Sequence, residues 1–126
     1  MTQVQKSTTT VSVRTGPLVG PVLGRVVGML AARAQCPIDR LDDAMLLTDA
    51  LAAHAPAHVV DGVLRVTVDA DEEALRLSVG PLRPDGAAAI LADADLPGVG
   101  NVLERVATEV RPAGDDQLLV VLRFAE

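Results

Sequence analysis

Apolar residues recur at helical spacing in the N-terminal third of the chain. Between Pro17 and Gln35 they fall three and four positions apart, which predicts an amphipathic helix with one buried side. A second stripe of the same kind predicts a helix over Asp42–Pro56, ended by the proline. The apolar positions of the two stripes are Val19, Val22, Leu23, Val26, Val27 and Leu30 in the first, and Leu41, Ala44, Met45, Leu51 and Ala55 in the second.

Strict alternation of apolar and polar residues predicts strands in the middle of the chain. Gly62–Val68 and Leu75–Val79 each place apolar side chains on one side and more polar ones on the other. The acidic turn Asp69–Glu73 joins them, so we expect a hairpin with one buried face and one more polar face. Thr8–Arg14 predicts an earlier strand, and Leu118–Phe124, apolar on both faces for most of its length, predicts a central one.

Shorter elements are predicted between the turns. Ala87–Ala92 predicts a short helix, and Asn101–Thr108 predicts a helix of about two turns with Asn101 as its N-cap. Glu109–Arg111 predicts the start of a further strand. This order does not alternate strictly, which favours an α+β fold, with helices packed on one face of a mixed, mostly antiparallel sheet in a two-layer sandwich. We expect residues 1–7 to be a flexible N-terminal segment and residues 8–126 to be a single domain.

Composition limits the partners of this fold. Of the 126 residues, 49 % are hydrophobic, so we expect a packed core. Phe124 is the only aromatic residue and the net charge is −6, so direct binding of nucleic acid is not expected. Residues 1–10 lack the apolar core of a signal peptide. The longest apolar run, Gly16–Ala32, is shorter than the ~20 residues of a membrane span. Cys36 is the single cysteine, which suits a reducing cytoplasm.

The second predicted helix resembles a helix of a known superfamily. Its segment Leu47–Ala53 is similar to the signature helix of the histidine-kinase-like ATPases, and in particular of the small bacterial anti-sigma factors that double as serine kinases. In that family the helix carries a Glu that acts as general base and, four residues later, an Asn that gives an oxygen ligand to the magnesium of ATP. Asp49 and Ala53 occupy these positions here and share one side of the helix. The resemblance runs from about Val11 to Phe124 and implies the histidine-kinase-like ATPase fold.

Both substitutions weaken the implied catalytic site. Asp is one carbon–carbon bond, about 1.5 Å, shorter than Glu, and a misplacement of about 1 Å can cost roughly 100-fold in rate. Ala53 has no oxygen, whereas magnesium requires oxygen ligands in near-octahedral geometry. Asp49 is therefore either a general base or one more solvated charge on an amphipathic helix.

Two further motifs of the family are only partly present. The first is an Asp-x-Gly-x-Gly element after the strand that ends here at Val79, whose Asp accepts a hydrogen bond from the adenine amino group. The nearest substitute is Asp85-Gly86, a dipeptide that is first of all a turn signal. The second is a Gly-x-Gly ahead of the following helix, where backbone N–H groups hold phosphates. Gly98 and Gly100 fit it by position, but two glycines equally allow a tight helix entry.

Other side chains give weaker candidates. His54 and His58 are four residues apart, but Pro56 separates them and no third ligand is evident, so no metal site is predicted. Cys36 precedes Pro37 in a loop, where packing is expected rather than nucleophilic chemistry.

The resemblance and its departures imply a regulatory protein that binds a sigma factor or an anti-sigma antagonist, with a degenerate or lost ATP site and no cofactor. The alternative is an active serine kinase that uses ATP and magnesium, with Asp49 as base and Gly98 and Gly100 at the phosphates. A third reading is a structural or dimerisation module that retains only the fold. Family members of this type commonly dimerise through the sheet. The expected dimer surface is the polar face of the predicted hairpin, with Arg65, Thr67, Arg76 and Ser78.

Overall fold

An antiparallel sheet of five strands forms one layer of the structure, a computed structural model that describes residues 6–125. Its strands lie in the spatial order β1-β2-β3-β7-β6, and each neighbouring pair is antiparallel. The strands are β1 (Ser7–Arg14), β2 (Val63–Ala70), β3 (Ala74–Gly80), β6 (Glu109–Ala113) and β7 (Gln117–Arg123). Two further strands, β4 (Asp95–Leu96) and β5 (Gly100–Asn101), form a small separate hairpin.

Helices cover one face of this sheet. They are α1 (Val19–Arg33), α2 (Ile38–His54), α3 (Gly86–Asp93) and α4 (Val102–Val106), with a 3-10 turn over Ala55–His58. None of these described helices is long and apolar enough to cross a membrane. Helices that gather on one face of an antiparallel sheet make a two-layer α+β sandwich, as expected.

The core lies between the two layers and is aliphatic. In the hairpin, alternate residues such as Leu64 and Val66 of β2 and Leu75 and Leu77 of β3 are at most 2 % exposed. The buried stripe of α1, including Leu23, Val27 and Leu30, packs with Leu47 and Leu51 of α2 against them. Removal of this apolar surface from water is the main favourable term in folding.

The observed bounds differ from the predicted ones at several ends. The helix predicted over Asp42–Pro56 begins earlier, at Ile38, because Pro37 adopts an extended conformation and acts as its N-cap. The helix predicted to start at Asn101 ends at Val106, because the N–H of Thr108 already donates to the Val121 carbonyl in the sheet, 2.8 Å away.

Two broader expectations also differ in part from the structure. The sheet was expected to be mixed and mostly antiparallel, but every neighbouring pair in it is antiparallel. The long connection from β3 through α3 and α4 leads to the edge strand β6, and the β6–β7 hairpin then places β7 beside β3 in the opposite direction. The expected flexible segment of residues 1–7 lies largely outside the described residues, and Ser7 already belongs to β1.

Candidate functional site

The residues at the general-base and magnesium positions lie on the solvent side of α2. Asp49 and Ala53 are both exposed, whereas Leu47, Thr48 and Leu51 are buried. The Asp49 carboxylate forms no hydrogen bond or ion pair with any described residue. A general base is normally held in place by a neighbouring group and lies within hydrogen-bond reach of the proton that it takes. The structure therefore supplies no described group that would orient Asp49.

The polar residue beside Asp49 offers no substitute ligand. Thr48 is 2 % exposed, and its hydroxyl donates to the Ala44 carbonyl one turn back, at 2.7 Å. Since this hydroxyl is buried and already bonded, it does not replace the oxygen that Ala53 lacks.

Asp85 and Gly86, the nearest substitute for the adenine motif, form the turn that begins α3. Asp85 is exposed and has a φ of +62°, and the Gly86 N–H donates to the Arg83 carbonyl at 2.8 Å. Gly86 is buried, and a Cβ at this position would lie 2.9 Å from the Cβ of Leu82. The glycine thus allows α3 to pack closely against the preceding loop, which accounts for it without a nucleotide.

The cavity beside this turn has the wrong charge for phosphates. It has a volume of about 260 Å³, and its lining includes the carboxylates of Asp85, Asp115 and Asp116. Its other lining residues come from the loop after β3, from α3 and from the β6–β7 hairpin, and none comes from α2 or from residues 98–100. The structure does not bring Asp49, Asp85-Gly86 and the Gly98–Gly100 segment together around this cavity.

Gly98 lies in the turn of the small β4–β5 hairpin, and Gly100 is the first residue of β5. Their φ values are +79° and +96°, in the left-handed region that favours glycine, so the pair is explained by the turn itself. Arg105 closes the turn, because its guanidinium donates to the Val99 carbonyl and its side chain packs against Gly100.

Three backbone N–H groups around this turn are already bonded within the protein. The Val99 N–H donates to the Leu96 carbonyl at 3.0 Å, and the Val102 N–H donates to the Ala94 carbonyl at 3.2 Å. The side chain of Asn101 accepts from the Glu104 N–H at 3.2 Å, so the predicted N-cap is confirmed. A phosphate-binding loop needs N–H groups that point at the ligand, and these three groups are not available for it.

A cleft of a different character lies at the other end of α2. It has a volume of about 380 Å³ and three arginines in its lining, Arg40, Arg105 and Arg123. We call it the arginine cleft; its remaining lining residues are Val106, Ala107, Thr108 and Ala125. Sequence reasoning missed this site, because its arginines lie on three separate elements and no spacing pattern links them.

His58 and Cys36 have hydrogen-bond partners within the fold. His58 Nε2 and Asp93 Oδ2 are 2.7 Å apart, which ties the 3-10 turn to α3. Among the described residues, no three His, Cys, Asp or Glu side chains are grouped so that they would hold a metal ion. Burial raises the pKa of the Cys36 thiol, outweighing the opposite effect of Arg40, and the nearby Asp43 raises it further. Because the thiolate is the nucleophilic form, Cys36 is poorly suited to nucleophilic catalysis.

The sheet face opposite the helices is polar and regular. Its central row runs from Thr10 through Thr67 and Ser78 to Leu119, which are paired across adjacent strands. The hydroxyls of Thr10 and Thr67 are 3.0 Å apart. At one end of this face Arg76 pairs with Asp69 and Asp71, at 3.6 and 3.1 Å. The predicted polar side of the hairpin is therefore confirmed. Of its two arginines, Arg76 is paired with carboxylates, whereas exposed Arg65 donates to the Ser12 hydroxyl at 3.5 Å.

Comparison with known proteins adds no family assignment, since no protein-family model and no curated protein matches this chain. The likeness to the histidine-kinase-like ATPases rests on the sequence motif and on an α+β sandwich compatible with it.

Proposed function

We propose that this protein is a regulator that acts by binding another protein and has no working ATP site. The observation that carries the proposal is the hydrogen bonding around Gly98–Gly100. The N–H groups of Val99, Val102 and Glu104 all donate to acceptors inside the fold. A phosphate would have to break these bonds before it found donors of its own.

Two further features support the loss of the nucleotide site. Ala53 offers no magnesium ligand, and buried Thr48 beside the motif is bonded to Ala44. The cavity at Asp85 carries three carboxylates, which repel a polyphosphate.

The resemblance suggests the partner. We expect a sigma factor or an anti-sigma antagonist, and hence an action in the cytoplasm. We also expect a homodimer through the polar sheet face, where the hydroxyl row of Thr10, Thr67 and Ser78 provides a surface of low charge. Like charges that face each other across a two-fold axis would oppose association, and the pairing of Arg76 with Asp69 and Asp71 reduces this repulsion.

The partner assignment is tested by affinity capture with the purified protein as bait, against a panel of sigma factors and small anti-sigma antagonists from the same source. Capture of at least one of them at micromolar protein is the expected result. Recovery of neither class would overturn the assignment.

The dimer is tested by sedimentation of the wild type, of Thr67→Arg and of the control Ala32→Arg. Thr67 lies in the hydroxyl row, whereas Ala32 is exposed on α1. We expect Thr67→Arg to shift the protein towards the monomer and Ala32→Arg to leave it unchanged. A wild type that is monomeric throughout would contradict the expected dimer.

The kinase alternative has one observation in its favour, the exposed Asp49 carboxylate that no described residue engages. If the protein transfers phosphate from ATP, Asp49→Asn should abolish the transfer while leaving the unfolding transition in place. If ATP binds without turnover, Ala53→Asn should restore magnesium coordination. Phosphate transfer by the wild type that Asp49→Asn removes would establish this alternative.

A further inference from the structure

We propose that the arginine cleft binds an acidic segment of a protein partner, through carboxylate side chains. The choice of a protein partner rests on the proposed function, whereas the carboxylate chemistry rests on the cleft itself. The lining combines Arg40, Arg105 and Arg123, and none of its other residues within 6–125 is acidic.

The charge of the cleft is opposite to that of the protein as a whole. The chain carries 17 acidic and 11 basic residues, for a net charge of −6. Three of the basic residues, all arginines, meet in one concavity, formed by the start of α2, the end of α4, the two residues that lead into β6 and the end of β7. Charges of one sign in a cleft focus the field and attract ligands of the opposite sign.

The geometry of the arginines suits a carboxylate. Arg105 is held in place by its bond to the Val99 carbonyl, which uses one of the five N–H donors of a guanidinium. Arg123 is exposed, and its side chain has no hydrogen-bond or ion-pair partner within residues 6–125. A guanidinium presents its donors in a planar fork that matches the two oxygens of a carboxylate.

The rest of the lining favours an acidic side chain over a small inorganic ion. Val106, Ala107 and Ala125 provide an apolar wall next to the guanidinium groups. Such a wall contacts the methylene groups of a glutamate while the arginines bind its carboxylate. Arg40 contributes mainly charge, because it also pairs with Asp43 at 3.2 Å.

The test is a titration of the full chain with a peptide of six glutamates, followed by amide NMR. We expect saturable shifts at residues 105–108 and 123–125 that weaken as salt is added, because exposed charges are screened. Inorganic phosphate is titrated in parallel. Shifts at these residues with phosphate but not with the peptide would overturn the proposal in favour of a free anion, and no shift with either would overturn it outright.

Variants assign the binding to the arginines. Arg105→Gln/Arg123→Gln should weaken peptide binding by roughly tenfold or more, the effect of losing one charge-assisted hydrogen bond. The control Arg25→Gln/Arg33→Gln removes the same charge from exposed positions of α1 and should bind as the wild type does. Arg123→Gln alone is included because it leaves the Arg105–Val99 contact intact, and it should also weaken binding. Equal binding by all variants would overturn the proposal.

Two more measurements separate this proposal from competing outcomes. Glu126 follows Ala125 in the sequence, so Glu126→Gln is titrated as well. Peptide binding that occurs only in that variant would overturn the proposal, because the chain would then fill its own cleft. In partner capture, equal recovery of the partner by the wild type and by Arg123→Gln would overturn the cleft assignment but not the proposed function. Binding of the peptide without capture of any partner would overturn the proposed function but not the carboxylate chemistry of the cleft.

Discussion

The two ends of α2 lie in opposite chemical surroundings. At its N-terminal end Arg40 lines a cleft with Arg105 and Arg123. Towards its C-terminal end Asp49 and Ala53 face solvent. The end with the motif that resembles a kinase helix thus presents an exposed Asp and an exposed Ala, and the end without a motif gathers three arginines. The position of these cations follows from the side chains that the fold brings together rather than from a sequence pattern.

The inner side of α2 provides the sharpest contrast with its outer side. Leu51 is 1 % exposed, whereas Leu46 is 50 % exposed. We predict that Leu51→Ala lowers the free energy of unfolding by about 2–5 kcal/mol, since it removes buried methyl groups and leaves a cavity. Leu46→Ala should change it by about 0.5 kcal/mol or less. Urea denaturation of the two variants measures this, and similar losses in both would mean that α2 is packed differently.

Substitutions at two glycines have the next largest expected effect on stability. They compare a closely packed position with an open one. A Cβ at Gly80 would lie 2.6 Å from the Asp116 carbonyl oxygen, whereas at Gly24 nothing lies within 4 Å. We expect Gly80→Ala to destabilise the fold by about 1–3 kcal/mol through overpacking. Gly24→Ala should stabilise it by about 0.5–1 kcal/mol, because alanine is the better residue in a helix interior. Thermal unfolding of both variants checks the opposite signs.

The hydrogen bonding next to the Gly98–Gly100 segment is tested at Asn101, the N-cap of α4. Asn101 accepts from the Glu104 N–H and donates to the Leu91 carbonyl, at 3.2 and 2.7 Å. Asn101→Ala should cost about 1 kcal/mol, the usual loss for an N-cap. Asn101→Ser, which can still accept the N–H bond, should lose less by the same denaturation assay. If Asn101→Ala leaves the free energy of unfolding unchanged, the N–H groups of this segment are not held by hydrogen bonds that stabilise the fold.

The smallest effect concerns the charges on the polar sheet face. Burial raises the pKa of Asp71, but hydrogen bonds from the Glu73 and Ala74 N–H groups and the Arg76 guanidinium outweigh it and lower the pKa below its ordinary 3.8. A lowered native pKa stabilises the fold above the unfolded value, and this stabilisation is lost as the pH falls through the native value.

Asp71→Asn removes the charge while its side-chain oxygen can still accept both N–H bonds. We expect a loss of about 0.2–1 kcal/mol at pH 7, typical of an exposed ion pair. The difference from the wild type should shrink as the pH is lowered below 3.8. Denaturation at several pH values measures it, and a difference that grows in acid would contradict the assigned sign.

Much of the fold follows from local patterns in the sequence. The period of two in β2 and β3 fixes which residues face the helices, so the burial of Leu64 and Val66 was predictable. The Asn-x-x-Glu spacing marked Asn101 as the cap of α4. The antiparallel pairing of β3 with β7 was not predictable, because the apolar run of β7 is equally compatible with either direction.

The candidate sites were much less predictable from the sequence. Motif spacing placed Asp85-Gly86 and Gly98–Gly100 near a nucleotide, but it carries no information on bonds such as that from Arg105 to Val99. The arginine cleft depends on residues brought together from α2, α4 and β7. Only the folded chain shows that they are neighbours.

The proposed loss of the nucleotide site is tested most directly by amide NMR of the wild type titrated with ATP, with and without magnesium. We expect no saturable shift at Asp49, Ala53 or residues 98–100 at millimolar ATP, and no thermal stabilisation, whereas a ligand at 100 times its dissociation constant would add about 2.7 kcal/mol. Any weak shift at the arginine cleft should be independent of magnesium and should also appear with inorganic triphosphate. Micromolar, magnesium-dependent binding that shifts Asp49 and residues 98–100 would contradict the account and establish a working nucleotide site.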